Sequence, residues 1–231
     1  METPCSYANA QRLEKVQEAD DSEKLPDMTS TGSVTHLFMK KPNESVNRPV
    51  HDLPFSADGI REGKVYSPLR QVLLTALSDV HDLGYAPGEL HENIVVNFPR
   101  LQEITSGCVL AVGEALIRLT FHCEPCRAVK KEGMSLKPLL HRRGVLGMFQ
   151  NSGSIVVGDP VKVTTKREEY IPYDAMERVE WYLQKHQGPI LASELLRQVG
   201  LAASYARALP ALLKKMPSVL ENKVIFKSRL K

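Results

Sequence analysis

Gly107-Cys108-Val109-Leu110-Ala111-Val112-Gly113-Glu114-Ala115-Leu116-Ile117-Arg118-Leu119-Thr120-Phe121 decides the fold. Two apolar runs flank Gly113-Glu114, a pair suited to a tight hairpin turn. In the second run Ala115, Ile117 and Leu119 share one face, and Glu114, Arg118 and Thr120 take the other. A two-residue alternation of this kind belongs to a half-buried strand. The hairpin leads straight into Phe121-His122-Cys123-Glu124-Pro125-Cys126. Two of the four cysteines stand there, three apart, beside a histidine and a glutamate.

Working outward, the same short-strand pattern continues on both sides. Upstream, Val34 to Met39 has strand character, and Lys40-Lys41-Pro42 stops it. A proline-containing loop runs through Pro49 and Pro54, and Gly59 to Lys64 is a turn. Gln71 to Thr75 reads as a buried strand, or as the start of a helix through Leu77 to Val80, because so short an apolar run fits either. Gly84 to Asn93 is a turn-rich polar loop that feeds the β-branched strand Ile94 to Asn97. Downstream, Arg127 to Leu140 is a short basic helical or loop region. Strands follow at Val145 to Gln150, Ile155 to Val157 and Val161 to Val163, with turns at Asn151 to Ser154 and at Gly158-Asp159. Roughly seven to nine short strands so closely spaced predict a barrel or sandwich, not parallel βαβ units.

The two ends differ from this centre. Between Met1 and Thr35 there are seven Asp or Glu against three Lys or Arg. Residues 1–34 are therefore expected to form a flexible acidic tail, too polar to offset the entropy of ordering; Arg12 to Glu23 has a second reading as a docked helix. From Tyr170 onward the code is helical. Pro172 suits a first helix start, and Ala175, Val179, Tyr182 and Leu183 form its apolar stripe. A second helix runs from Ala192 or Ser193 to Val199, ended by Gly200. A third spans Ala202 to Lys215, bent at Pro210. The domain reading is a β-barrel over 35–166 and a helical C-terminal extension over 170–231, mainly β and α+β overall.

Composition narrows the class of function. With 42% hydrophobic and 25% charged residues the chain is an ordinary globular one. A formal charge of +3 is too small to argue for nucleic acid. Four cysteines without regular spacing do not make a disulfide framework and fit a reducing compartment. No apolar run is long enough to span a membrane, and the N-terminus lacks a signal-peptide pattern. A cytoplasmic protein is expected.

The Cys123–Cys126 pair admits several chemistries. Structural zinc needs a second ligand pair, which is missing, so no structural zinc is expected. A redox pair would want the βαβ flanks of a thioredoxin-like motif, which are also missing. Both cysteines could be small core residues, a reading that suits Cys108 better. A dithiol switch stays open, and a thiolate stabilised by Lys130, Lys131, Arg142 and Arg143 is a further option, in which the same cations could bind an anionic ligand.

Taken in order, these residues resemble the MOSC domain, the C-terminal domain of molybdenum-cofactor sulfurases. Gly88-Glu89-Leu90-His91-Glu92-Asn93-Ile94 resembles the family's loop with an acidic residue and Asn before a strand. Gly107 and Gly113, with Ala115 and Ile117, match its strand pair. Glu124-Pro125-Cys126 matches the segment that carries the hallmark cysteine. Arg143-Gly144, Gly153 and Gly158-Asp159 match its closing hairpins. The resemblance covers about residues 35 to 165.

The resemblance implies a MOSC-type β-barrel in which Cys126 carries sulfur or ligates molybdenum in a molybdenum-pterin cofactor. It further implies that Asn93, Arg142 and Arg143 orient or neutralise the pterin phosphate, with Glu92 and His91 at the mouth. His91 stands where many relatives have glycine. If the chain is an enzyme, the implied reaction is two-electron reduction of an N-hydroxylated small molecule, with electrons from a separate reductase. No pyridoxal-phosphate lysine site is recognisable, so a cysteine desulfurase would be the partner of a sulfur-carrying form. That form, a non-enzymatic persulfide carrier or cofactor chaperone, is the second reading, with Cys123 as a resolving thiol. A nucleic-acid module acting through the basic tail is the third. Leu191 to Lys215 has a vague helix-turn-helix outline, but Ala203, Ala206, Ala208 and Pro210 favour packing over base reading.

Overall fold

The computed structural model describes residues 31–226. In chain order its strands are β1 (Thr31–Met39), β2 (Arg48–Val50), β3 (Asp52–Ser56), β4 (Gly59–Ile60), β5 (Val72–Ala76), β6 (Ile94–Asn97), β7 (Cys108–Val112), β8 (Ala115–His122), β9 (Val145–Phe149), β10 (Gly153–Val156), β11 (Pro160–Arg167), β12 (Ile190–Leu191) and β13 (Val224–Ile225). The helices are α1 (Leu77–Asp82), α2 (Ala175–Lys185), α3 (Ala192–Gln198), α4 (Leu209–Leu213) and α5 (Ser218–Glu221). None of the described helices is long and apolar enough to cross a membrane.

Seven strands close a barrel in the order β11-β7-β8-β9-β5-β6-β1, and β1 returns to β11. Closure leaves these strands without an open edge. Every pairing is antiparallel except β5 with β6. The hairpin that predicted the fold is β7–β8, turning at Gly113 with φ of 56°. A Cβ there would lie 2.3 Å from Asp159 Oδ2, so glycine is needed for space as well as for φ. The inner faces meet in one apolar core that includes Leu53, Phe55, Leu74, Ile94, Leu110, Ile117 and Phe149. Phe55 and Phe149 stack there with ring centroids 4.5 Å apart.

Several expectations need correction. Residues 1–30 of the expected acidic tail lie outside the described residues. Residues 31–33 are strand, because Thr31, Gly32 and Ser33 pair with Lys162, Val161 and Pro160 to close the barrel. The proline-containing stretch holds β2 and β3, and Pro54 sits opposite Ser154 in a three-stranded side sheet. The ambiguity after Gln71 resolves as both readings in succession, with β5 ending at Ala76 and α1 starting at Leu77. Thr120 is fully buried, because the outer face of β8 is also covered there; its hydroxyl donates to Leu69 O at 2.9 Å.

The C-terminal extension has its own core, built on Val179, Leu183, Leu195, Leu196, Leu209, Leu213 and Leu220. Asp174, not Pro172, caps α2: its Oδ1 accepts from Met176 N at 2.8 Å and Glu177 N at 3.1 Å. The expected third helix is a five-residue 3-10 turn, Ala203–Arg207, followed by α4. Pro210 therefore sits in the first turn of a new helix, where its missing N–H costs nothing.

Arg178 of α2 joins the extension to the barrel. Its side chain is completely buried. It donates to Val199 O (2.8 Å), Pro172 O (3.0 Å) and Tyr173 O (2.7 Å). The guanidinium lies 3.8 Å from the Phe121 ring centroid and 3.6 Å from Glu124 Oε1. Arg178→Met keeps the apolar stem and removes the donors from one buried and two half-buried carbonyls. It is expected to cost about 3 kcal/mol, read as a lower urea midpoint, and an unchanged midpoint would refute the joining role.

Candidate functional site

A cavity of about 680 Å³ opens beside the end of β8, in the size range of small-molecule sites. Five segments build it within the barrel domain: Lys40 and Asn47 after β1, Lys64 to Leu73 leading into β5, His91 and Asn93 before β6, Cys123 to Cys126 after β8, and Arg143 with Leu146 at the start of β9. The extension supplies a sixth, Gly200 to Tyr205.

Cys126 is exposed, on extended backbone with φ of −140° and ψ of 167°. Arg143 Nη1 donates to its Sγ at 3.4 Å and to Glu124 O at 2.6 Å. Nη2 donates to Leu90 O at 3.3 Å. The Arg143 backbone is fixed in turn, its carbonyl accepting from Thr75 Oγ1 at 3.1 Å. Gly144 follows with φ of 127°, and a Cβ there would meet Leu74 O and Thr75 Oγ1 at 2.5 Å. Only glycine lets the chain pass this close to β5.

Cys123 is different. It is buried with Leu69, Phe121 and Leu146, and its N–H donates to Gly144 O at 2.9 Å. Burial pushes its thiol up, against the pull of Arg143 and Arg70. It is a packed thiol at the back of the cavity, while Cys126 faces the opening.

Four cationic side chains line the cavity, Lys40, Lys64, Arg70 and Arg143, against one carboxylate, Glu124. Among the described residues none of the four has a carboxylate within 4.0 Å. Lys40 Nζ donates to Ser45 O at 2.8 Å, Lys64 sits over the Tyr66 ring, and Arg70 Nη1 donates to Gly200 O at 3.0 Å. The Nε atoms of Arg70 and Arg143 are buried without a hydrogen-bond partner. Such a cluster gives the cavity a positively charged lining, which attracts anions.

The six residues singled out from sequence divide at this point. Cys126, Arg143, His91 and Asn93 line the cavity, whereas Glu92 and Arg142 do not. His91 has φ of 61°, which explains why glycine suits this position. Its Nε2 lies 3.4 Å from Ala128 O, and burial holds its pKa below the usual value. Asn93 is mainly a brace: Oδ1 accepts from Leu73 N (3.0 Å) and Nδ2 donates to Phe38 O (3.3 Å). Glu92 is fully buried behind the wall, with Oε1 accepting from Gly88 N at 2.6 Å and Oε2 unpartnered. Arg142 turns outward to Asp79 (2.8 Å) and Asp82 (3.0 Å), which neutralise it. Sequence reading missed Lys40, Lys64, Arg70 and the Gly200 to Tyr205 turn; no motif or spacing links them to Cys126.

Comparison with known proteins agrees with this fold. The family profile described as the MOSC domain matches residues 66–162. Among solved structures, YiiM from Geobacillus stearothermophilus aligns with a TM-score of 0.50 at 13% identity, over 78% of this chain and 98% of that one. YuaD from Bacillus subtilis aligns at 0.48 and 17% identity, over 60% of this chain and 97% of that one. YiiM from Escherichia coli aligns at 0.41 and 15% identity, over 80% and 94%. At these identities the likeness is one of fold. No curated protein matches the chain.

Two outcomes follow from the site. Burial raises the Glu92 carboxyl above its ordinary 4.5, outweighing the Gly88 hydrogen bond. The folded protein then holds that proton longer than the unfolded chain does. Its stabilising contribution is full below pH 4.5 and is lost as pH rises through the folded value. Urea unfolding between pH 4.5 and 7 should show wild type losing stability relative to Glu92→Gln, and parallel pH profiles would contradict this. Separately, the cations should favour anionic reagents at Cys126. The iodoacetate-to-iodoacetamide rate ratio, followed by mass spectrometry, should exceed that of free cysteine on the order of tenfold at low salt and fall as salt screens the field. A ratio equal to free cysteine at every salt concentration would show that the cations exert no field at Sγ.

Proposed function

Residues 66–162 form a MOSC domain, and from that premise we propose that the chain binds the molybdenum-pterin cofactor in its basic cavity, with the Cys126 sulfur as metal ligand. One observation carries the reading. An exposed thiol sits 3.4 Å from a buried guanidinium in a cavity whose four cations have no carboxylate partner among the described residues. A soft thiolate suits a thiophilic metal. A dianionic phosphate suits Lys40, Lys64, Arg70 and Arg143. Among the described residues no three His, Cys, Asp or Glu side chains cluster as a metal site. The donor set therefore fits a metal that arrives with most of its ligands on the pterin.

When bound, the cofactor supplies two-electron redox chemistry at the metal. The chain's own residues do the rest. Arg143 orients Cys126 through its hydrogen bond to Sγ, while Arg70 and the two lysines hold the anionic end. His91 offers an imidazole that burial keeps neutral, able to donate or accept a proton at the mouth. The reaction proposed is reduction of an N-hydroxylated small molecule, with electrons delivered by a separate reductase. A persulfide on Cys126, supplied by a cysteine desulfurase, is the competing use of the same thiol.

Elemental and pterin analysis of protein purified from cells that make the cofactor tests the proposal. Wild type should hold about one equivalent of molybdenum and Cys126→Ser should lose it, since a hydroxyl is a poor ligand for a soft metal. Full molybdenum in the serine variant would sink the ligand assignment. A single added sulfur on Cys126 after incubation with a desulfurase, with no molybdenum in wild type, would favour the carrier instead.

A further inference from the structure

The cavity has one wall that the barrel does not supply. Gly200 to Tyr205, running from the end of α3 into the 3-10 turn, completes it from the C-terminal extension. Its position is fixed at three points. Arg70 Nη1 donates to Gly200 O at 3.0 Å. Gly200 has φ of 69° and fits against Phe121 and Arg70 so closely that a Cβ would lie 3.0 Å and 3.1 Å from their side chains. Arg178 holds the neighbouring Val199 carbonyl at 2.8 Å and faces Glu124 of the cysteine loop.

The chemistry of this wall differs from that of the cationic side. Ala202, Ala203 and Ser204 are exposed and line the opening with side chains of one or two heavy atoms. Tyr205 is the only ionisable group on the segment. A charged substrate finds no counter-charge there, whereas a neutral one finds open space beside an aromatic ring. We propose that the Gly200–Tyr205 turn is the specificity wall of the Cys126 site, admitting a small uncharged substrate past Ala203 while the cations hold the anion. The inference rests on Cys126 being the working group, as in the reading above, but not on which cofactor it serves.

Alkylation of Cys126, quantified by mass spectrometry on the full chain, tests the wall without cofactor. Ala203→Trp fills the opening and should slow iodoacetamide about tenfold. Iodoacetate, drawn along the cationic side, should slow less, so the anionic-to-neutral ratio rises. Ala206→Trp, on the same turn but outside the cavity, should react like wild type. Unreactive Cys108 and Cys123 report an intact fold in each variant; if Ala203→Trp exposes them, Ala202→Leu takes its place with the same expected direction. Wild-type rates in the folded cavity variant would overturn the wall. Equal slowing of both reagents, or equal slowing by Ala206→Trp, would overturn its selectivity. Absence of molybdenum from wild type with the alkylation contrast intact would remove the cofactor reading alone.

Discussion

The site depends on one buried guanidinium. Arg143 is 6% exposed and has no carboxylate partner among the described residues, a costly state for a charge removed from water. What offsets the cost is a set of acceptors from two loops that are distant in sequence. Leu90 O comes from the polar loop before β6, and Glu124 O and Cys126 Sγ from the segment after β8. Removing this side chain would leave both loops without their common donor. The guanidinium is itself placed by the barrel: Thr75 of β5 holds its carbonyl, and Gly144 lets the chain pass against that strand. Strand position thus becomes thiol position through one residue.

The neighbouring arginine shows what an ordinary charge does here. Arg142 meets two aspartates on α1, and those partners raise its pKa. Arg143, one residue along, meets none. A fold able to neutralise one of two adjacent cations could as readily have neutralised the other. Among the described residues the cations around the thiol have no carboxylate partner, and this contrast with Arg142 is what supports the proposal of an anionic ligand.

The difference between the two arginines marks the limit of what the residues reveal by themselves. The β7–β8 hairpin was legible because its period of two and its glycine turn are local signals. Cys126 was picked out by the resemblance of Glu124-Pro125-Cys126 to the segment that carries the family's hallmark cysteine, and it lines the cavity. Arg142 and Arg143 were not separable, since their directions depend on Gly144 and on α1, more than sixty residues away in sequence. Glu92 and Asn93 were assigned to the cavity from a motif. In space Glu92 lies behind the wall and Asn93 chiefly ties β5 to β1. Arg70 and the Gly200 turn carry no signal, because 130 residues separate two groups that share a hydrogen bond. The start of α2 was missed more simply: Pro172 fits a first turn, but Asp174 supplies the acceptor that the free N–H groups need.

The extension is then more than a tail packed on a barrel. Its main core is separate from the barrel's, and a smaller apolar seam joins the two, with Ile171, Tyr173 and Trp181 packed on Leu69, Leu73, Phe121 and Leu146. Contacts of narrow tolerance add direction to that seam: a buried arginine bound to three carbonyls, and a glycine that admits only a close approach. Hydrogen bonds of this kind contribute modest stability but strong direction. Both contacts end at the residues around the thiol, Arg178 at Phe121 and Glu124, and Gly200 at Arg70. A unit held by apolar burial alone could slide without penalty to the site. Because this one is held by directional bonds to the cavity wall, any displacement of the extension also displaces the surroundings of Cys126.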